Sequence, residues 1–135
     1  MNITIIDGQG GQLGAQLVKE IASGFQNVSI TAIGTNSAAT AAMLKAGAHH
    51  AATGENPVIV ACRKADVIIG PVGIVIADSL LGEITDKMAV AVARADAIRI
   101  LIPMNKCDNL IAGVPSLNTK TLIEDAVSKL YKVIG

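Results

Sequence analysis

The sequence predicts an α/β fold with a doubly wound, mostly parallel sheet of five strands in three layers. Apolar runs and helix-period segments alternate five times along the chain, which requires crossover connections and hence parallel strands. The first apolar run stops at a glycine-rich turn that opens a helical segment, so the fold is expected to be Rossmann-like. One Phe and one Tyr against many Ala, Ile and Val fit closely spaced layers. A length of 135 residues fits a single nucleotide-binding domain over residues 1–135.

Local signals place the individual elements. Leu13, Leu17 and Ile21 recur at intervals of four and form the apolar stripe of the first helix. Asn36 or Ser37 can cap the second helix and Thr85 the fourth, while Asn56-Pro57 fits a cap followed by a first helical position. The expected elements are strand 2–7, a helix ending at 24, strand 28–33, helix 38–46, strand 49–53, helix 57–64, strand 66–70, a packed helix or loop 74–81, a helix from 85 to 95, strand 97–102 and an amphipathic helix over 122–134.

The polar and glycine-rich segments follow the predicted strands. In a doubly wound sheet, ligands bind beyond the carboxyl ends of the strands, so five such segments should converge on one edge. They are 7–14, 34–37, 53–55, 70–73 and 105–108. The residues expected to contact a ligand are Gly8, Gln9, Gly10, Gly11, Gln12, Leu13, Gly14, Gly34, Thr35, Asn36, Ser37, Gly70, Pro71, Val72, Gly73 and Asn105.

The glycines at 8, 11 and 14 form a G-x-x-G-x-x-G turn between the first strand and the first helix. This turn resembles the phosphate turn of extended short-chain dehydrogenases and sugar-nucleotide epimerases. Glycines let a ligand approach the backbone, and the unpaired amides of a helix start attract an anion. The turn therefore predicts that the protein binds a phosphate-bearing nucleotide, provided that these amides are free. NAD or NADP is the first candidate. Replacing Gly11 with a bulky residue should then abolish binding and leave the fold intact. The alternative is a tight turn that serves close packing only.

The segment after the second strand bears on which nucleotide binds. A site that prefers NAD usually has an acidic residue there, about twenty positions past the turn, and segment 34–37 has none. Its hydroxyl and amide groups could receive a 2′-phosphate, although no Arg accompanies them, or they could simply cap a helix. The Tyr-x-x-x-Lys pair of the dehydrogenases is also missing, since the one tyrosine, Tyr131, has Lys132 beside it but no lysine four residues later. The mechanism of those enzymes is therefore not transferred to this chain.

Asn105-Lys-Cys-Asp108 resembles the guanine-recognition motif of GTPases and follows an apolar strand, as it does in them. Asp7-Gly-Gln-Gly10 also imitates their Asp-x-x-Gly. The G-x-x-x-x-G-K-[ST] loop that holds terminal phosphates and Mg²⁺ is missing from the sequence. A guanine-nucleotide binder is kept as an alternative function. The structural alternative is that Lys106 is an ordinary solvated lysine in a loop.

The candidates for chemistry are Asp7, Lys106 and Cys107. They would need a composite site in a homo-oligomer, as an oxidoreductase or a transferase, so enzymatic activity is left open. A binding or sensing module, or a purely structural subunit, is the other class. No metal site is expected, because the adjacent His49 and His50 point to opposite faces of a strand.

Composition restricts the partners. Eleven basic and eleven acidic residues cancel and no basic run occurs, so nucleic acid is not expected. Apolar runs far shorter than about 20 residues argue against a membrane span. Two cysteines without a C-x-x-C pair and no leader pattern favour the cytoplasm. An apolar content of 51% exceeds what one small core hides and favours a homo-oligomer.

The chain as a whole resembles an uncharacterised bacterial family of small single-domain proteins. The resemblance rests on Ile-Asp-Gly-Gln-Gly-Gly, Gly-Thr-Asn-Ser-Ala-Ala-Thr, Ala-Thr-Gly-Glu-Asn, Ile-Ile-Gly-Pro-Val-Gly and Pro-Met-Asn-Lys-Cys. It covers nearly all of the sequence and implies one Rossmann-like domain. It implies no particular activity.

Overall fold

The computed structural model of the chain describes residues 1–104, 109–115 and 117–134. Strands and helices alternate along these residues as expected. They are β1 Asn2–Asp7, α1 Gln12–Gly24, β2 Ser29–Gly34, α2 Ser37–Lys45, β3 His50–Thr53, α3 Glu55–Lys64, β4 Val67–Pro71, a 3-10 turn Val72–Val75, α4 Asp86–Arg94, β5 Ile98–Ile102 and α5 Thr119–Ile134.

The described strands form one parallel sheet in the order β3-β2-β1-β4-β5. Ile5 at the centre of β1 pairs with Ala32 of β2 on one side and with Ile69 of β4 on the other. The chain leaves β1 for β2 and returns later to β4, so the strand order reverses between β1 and β4. This is the topological switch point, where the carboxyl edge of such a sheet offers a crevice.

Two apolar cores lie on opposite faces of the sheet. On the first face, Leu17 of α1, Met43 of α2 and Ile123 of α5 pack against the strands. On the second face, Val58 of α3 and Met88 of α4 do the same. Helices on both faces of a parallel sheet make three layers, which confirms the predicted fold class.

The helix caps explain where the structure and the sequence pattern agree. Asn36 caps α2 by accepting from the Ala39 amide at 2.9 Å, and Thr85 caps α4 by accepting from the Met88 amide at 3.2 Å. The third helix was expected to begin at Pro57, but α3 begins at Glu55 after Gly54, whose φ is 105°. Pro is tolerated at the third helical position because the first amides of a helix have no intrahelical acceptor.

The last helix is attached to the end of α1 by the two aromatic rings of the chain. Phe25 and Tyr131 stack with their ring centroids 4.2 Å apart. The Tyr131 hydroxyl donates to the Gly24 carbonyl at 2.9 Å.

Within the described ranges, no helix is both long and apolar enough to cross a membrane.

Candidate functional site

The glycine turn lies at the carboxyl edge of the sheet, between the end of β1 at Asp7 and the start of α1 at Gln12. Gly11 is the N-cap of α1 and has a left-handed backbone with φ of 74°. Its amide donates to the Gly8 carbonyl at 2.9 Å and closes the turn. The strand–turn–helix that the sequence predicted is therefore present with the predicted ends of β1 and α1.

Asp7 holds the turn from the inside. Its side chain is 3% exposed, and its two carboxylate oxygens accept from the amides of Gly8 at 2.8 Å and Gly14 at 2.7 Å. Burial raises the pKa of Asp7 above its ordinary range by more than these hydrogen bonds lower it, and the charge of Glu83 adds to the rise. Both oxygens of Asp7, a candidate for chemistry in the sequence analysis, accept from the protein's own backbone, and these contacts are structural.

Glu83 holds the turn from the outside. Its Oε1 accepts from the Gln9 amide at 2.9 Å, from Thr35 Oγ1 at 2.5 Å and from Asn36 Nδ2 at 2.9 Å. Burial is the largest single influence on this carboxyl and raises its pKa, but the three hydrogen bonds together outweigh burial and hold the pKa below its ordinary range. A carboxylate thus sits where the turn of β1 meets the end of β2.

The segment between the 3-10 turn and α4 delivers Glu83 to this place. Asp78, Leu80, Leu81 and Gly82 all have positive φ, between 56° and 87°. Leu80 is buried beside the glycine turn, whereas Leu81 is 93% exposed. The sequence predicted a helix or loop packed against a neighbour over 74–81. The structure shows the 3-10 turn Val72–Val75 followed by tight turns.

Three glycines of the turn have reasons internal to the protein. A Cβ on Gly8 would meet Thr35, Glu83 and Leu80 side chains, and a Cβ on Gly14 would meet Met43 Sδ at 2.5 Å. A Cβ on Gly11 would lie 2.7 Å from the Cα of Ala39 on the neighbouring helix. The expectation that a bulky residue at Gly11 leaves the fold intact is therefore wrong, because α1 and α2 approach each other through this position.

Gly10 differs from the other three glycines. It is exposed and its φ lies outside the positive region. Its chain neighbours apart, the nearest atom of the described residues to a Cβ built on it is Gln12 Cγ at 4.0 Å. The amides of Gly10, Gln12 and Leu13 donate to no acceptor within residues 1–104, 109–115 and 117–134. The amides of Gly8, Gln9, Gly11 and Gly14 are already paired within the protein, so the turn meets the condition of free amides only in part. Among the described residues, the unpaired amides that an anion needs are those of Gly10, Gln12 and Leu13.

The other predicted segments reach the same edge with different exposure. Thr35 and Asn36 are partly exposed and bind Glu83, while Ser37 is exposed at the start of α2. A Cβ on Gly34 would clash with Thr40, which also makes that glycine a packing residue.

The end of β4 and the two residues after it are more enclosed than predicted. Gly70, Pro71 and Gly73 are buried and only Val72 is partly exposed. The Gly73 carbonyl accepts from the Ser79 hydroxyl. Residues 70–73 are therefore hydrogen-bonded to the segment that carries Glu83. The predicted residues Asn105, Lys106 and Cys107, with Asp108, lie outside the described residues.

Two open grooves lie away from the glycine turn. One, of about 620 Å³, runs between α1 and α5 and includes Lys19, Glu124 and Tyr131. The other, of about 600 Å³, lies beside α3 over β1, β2 and β3 and includes Thr4 and Thr31, which are register partners. Neither groove contains a residue of the turn.

Glu83 is the site residue that sequence reasoning missed. It follows the predicted apolar segment, 76 positions after Asp7, and local spacing gives no reason to pair it with the end of β2. The available signal was a glutamate that directly follows Gly82 and stands between the apolar residues Leu80, Leu81 and Ile84.

The fold and this edge define a doubly wound α/β protein with a glycine turn at its switch point. The chain belongs to the family described as a domain of unknown function (DUF3842), whose model matches residues 2–135. No curated protein matches the chain.

One solved structure that resembles the chain is that of a dodecameric FMN-dependent UbiX-like decarboxylase from Escherichia coli O157:H7. The two sequences are 13% identical, the match covers 96% of this chain and 94% of the other, and the TM-score is 0.47. The flavin, the reaction and the dodecamer are properties of that enzyme.

Proposed function

We propose that the protein binds a phosphate-bearing nucleotide at the carboxyl edge of its sheet, with NAD or NADP as the first candidate. The observation that carries this proposal is a set of three amides just before and in the first turn of the 13-residue helix α1, those of Gly10, Gln12 and Leu13, which donate to no acceptor among the described residues. They lie at the switch point of the sheet, where ligands of such folds bind. A pyrophosphate over these amides would also meet the positive end of the α1 dipole.

Two further features support a ligand at this place. The first turn of α1 has no acidic residue that would occupy the helix end. Gly10 has no internal packing reason to be a glycine, in contrast to Gly8, Gly11 and Gly14. A position without Cβ that faces solvent beside free amides suits the close approach of a phosphate.

The proposal favours a binding or sensing module or subunit over an enzyme. Both oxygens of Asp7 are engaged by backbone amides, which removes the best described candidate for acid/base work. An enzyme would need groups from the segment 105–108 or from a second copy of the chain. A homo-oligomer stays a prediction, and light scattering on the purified protein tests it.

A structural subunit is the second candidate function. It is favoured by one observation, namely that Gly8, Gly11 and Gly14 all lie against the protein's own atoms. On this alternative the turn exists to let α1, α2 and β1 pack closely, and Glu83 seals it permanently.

A thermal-shift panel separates the two candidates. NAD, NADP, their reduced forms, ATP, GTP and S-adenosylmethionine are each tested at high excess, where a ligand at 100 times its Kd stabilises by about 2.7 kcal/mol. The Gly10→Val variant should melt like the wild type but lose the shift, because its side chain covers the free amides. Ala41→Val, at an exposed position of α2, is the matched control and should keep the shift. No shift with any nucleotide would favour the structural subunit.

A further inference from the structure

The carboxylate of Glu83 lies at the end of β2, although it comes from the segment before α4. We infer that Glu83 is the residue that binds the 2′,3′-diol of the ribose and selects nucleotides without a 2′-phosphate. This inference rests on the proposed nucleotide function and specifies its ligand class.

Position is the first argument. In doubly wound dinucleotide sites, an acidic residue at the end of the second strand accepts from the ribose hydroxyls. Segment 34–37 contains no carboxylate, but Thr35 and Asn36 of that segment both donate to Glu83. The third donor is the Gln9 amide of the glycine turn. The structure therefore places a carboxylate beside both the turn and the end of β2.

The hydrogen-bonding capacity of the second carboxylate oxygen of Glu83 is the second argument. Oε1 receives all three hydrogen bonds, and Oε2 accepts none from the part of the chain that the structure describes. The side chain is partly exposed, so a ligand can reach it. The donors also hold the pKa of Glu83 below its ordinary range, which keeps the carboxylate ionised near neutral pH. An ionised oxygen accepts strongly from a hydroxyl and repels a phosphate.

Rigid placement is the third argument. Asp78, Leu80 and Leu81 have left-handed backbones, a conformation that non-glycine residues rarely adopt. Leu80 is 1% exposed and anchors the loop beside Gly8. The Glu83 carboxylate is thus fixed before a ligand arrives, as a specificity-determining residue requires.

The rival reading makes Glu83 a plug that imitates the ligand's phosphate. The observations favour a ribose contact, because the amides of Gly10, Gln12 and Leu13, which have no acceptor in the described parts of the chain, are separate from the Gln9 amide that Glu83 binds. A phosphate on those three amides and a ribose against Glu83 can therefore be accommodated together.

The test uses three probes that differ only at the 2′ position, namely ADP, 2′-deoxy-ADP and 2′-phospho-ADP, titrated calorimetrically into the whole chain. Wild type should bind ADP about tenfold to a hundredfold more tightly than either analogue, because each analogue loses a charge-assisted hydrogen bond. The isosteric Glu83→Gln variant should bind ADP more weakly and discriminate among the three by less than about threefold. Asp86→Asn, which removes an exposed carboxylate bonded to the Lys87 amide nearby in the sequence, should keep the wild-type order.

The contrary outcomes are distinguishable. If Glu83→Gln binds all three probes more tightly than wild type, Glu83 is a plug, and the inference fails while nucleotide binding stands. Equal wild-type affinity for ADP and 2′-deoxy-ADP likewise overturns only the inference. If no probe binds wild type or variant, and both fold by circular dichroism, the inference fails. The proposed function fails with it only when the thermal-shift panel also gives no shift with any nucleotide.

Discussion

Two carboxylates accept hydrogen bonds from amides of the same glycine turn, but they differ in burial and in the direction of their pKa shifts. Asp7 is buried, binds the amides of Gly8 and Gly14, and has a raised pKa. Glu83 is partly exposed, binds the Gln9 amide with help from two side chains, and has a lowered pKa. The inner carboxylate has the contacts of a fold-maintaining group, and the outer one those of a group that can meet a ligand.

The same division applies to the glycines. Gly8, Gly11 and Gly14 face the protein's own atoms, whereas Gly10 faces solvent. A glycine motif at a turn can therefore record packing and binding at neighbouring positions. The four predictions below test this division, from the largest expected effect to the smallest.

The two glycines Gly11 and Gly10 should respond very differently to the same substitution. Gly11→Val should destabilise the fold by about 3 kcal/mol or more, because its Cβ meets the Ala39 backbone and its φ is positive. Gly10→Val should change stability by about 0.5 kcal/mol or less, as surface substitutions do. Urea unfolding of both variants measures the contrast, and equal losses would contradict the division.

Removing the inner carboxylate should cost more than removing an exposed one. Asp7→Ala leaves two buried amides without acceptors and should destabilise by about 2–4 kcal/mol. Asp66→Ala is the control, because the exposed Asp66 also accepts from a backbone amide, that of Asn2 at 2.7 Å, and should cost about 1 kcal/mol or less. A loss at Asp7 no greater than at Asp66 would show that the turn does not depend on it.

Removing the charge of the outer carboxylate should have a small effect on stability. Glu83→Gln keeps an oxygen that can accept from Gln9 and Thr35, so the expected loss is about 1 kcal/mol. Hydrogen exchange of the Gln9 amide should rise more than that of the Gly14 amide. A loss comparable to that of Asp7→Ala would make Glu83 a fold-maintaining group.

The pH dependence of stability should carry opposite signs for the two groups. The folded pKa of Asp7 lies above its unfolded value, about 3.9, so its contribution is complete below that value and is lost as pH rises through the folded pKa. The folded pKa of Glu83 lies below its unfolded value, about 4.3, so its contribution is complete above that value and is lost as pH falls through the folded pKa.

Urea unfolding across this range measures both signs. Asp7→Asn should lessen the decline in stability as pH rises above about 4, and Glu83→Gln should lessen the loss on acidification below it. If both substitutions changed the slope of the unfolding free energy against pH in the same direction, the assigned environments of Asp7 and Glu83 would be contradicted.

The sequence predicted the fold because its signals are local. The run Asn2–Asp7, the glycine turn and the stripe of α1 each fit one element, and the structure has β1 and the end of α1 where they were expected. The start of α3 was misplaced because Pro57 signals an early helical position without fixing which one. Gly54 provides a positive-φ N-cap, after which Glu55 and Asn56 are already helical.

The site was less predictable because its key contact is long-range. The residues Gly10, Gln12 and Leu13 follow from the strand–turn–helix pattern, but no local rule links Glu83 to Thr35 or Asn36, 48 and 47 positions away. That pairing exists only once β4 lies beside β1 and its following segment crosses the turn. Likewise, the sequence pattern could not distinguish packing glycines from an open one, because only the proximity of Ala39 and Met43 does so.

The stacked rings of Phe25 and Tyr131 give the chain an intrinsic optical probe. Since the chain has one tyrosine and no tryptophan, its ultraviolet emission reports a single position on α5. If α5 detaches from the end of α1 while the sheet persists, that emission changes without loss of the strand signal, so fluorescence and far-ultraviolet circular dichroism together can show whether the last helix melts independently.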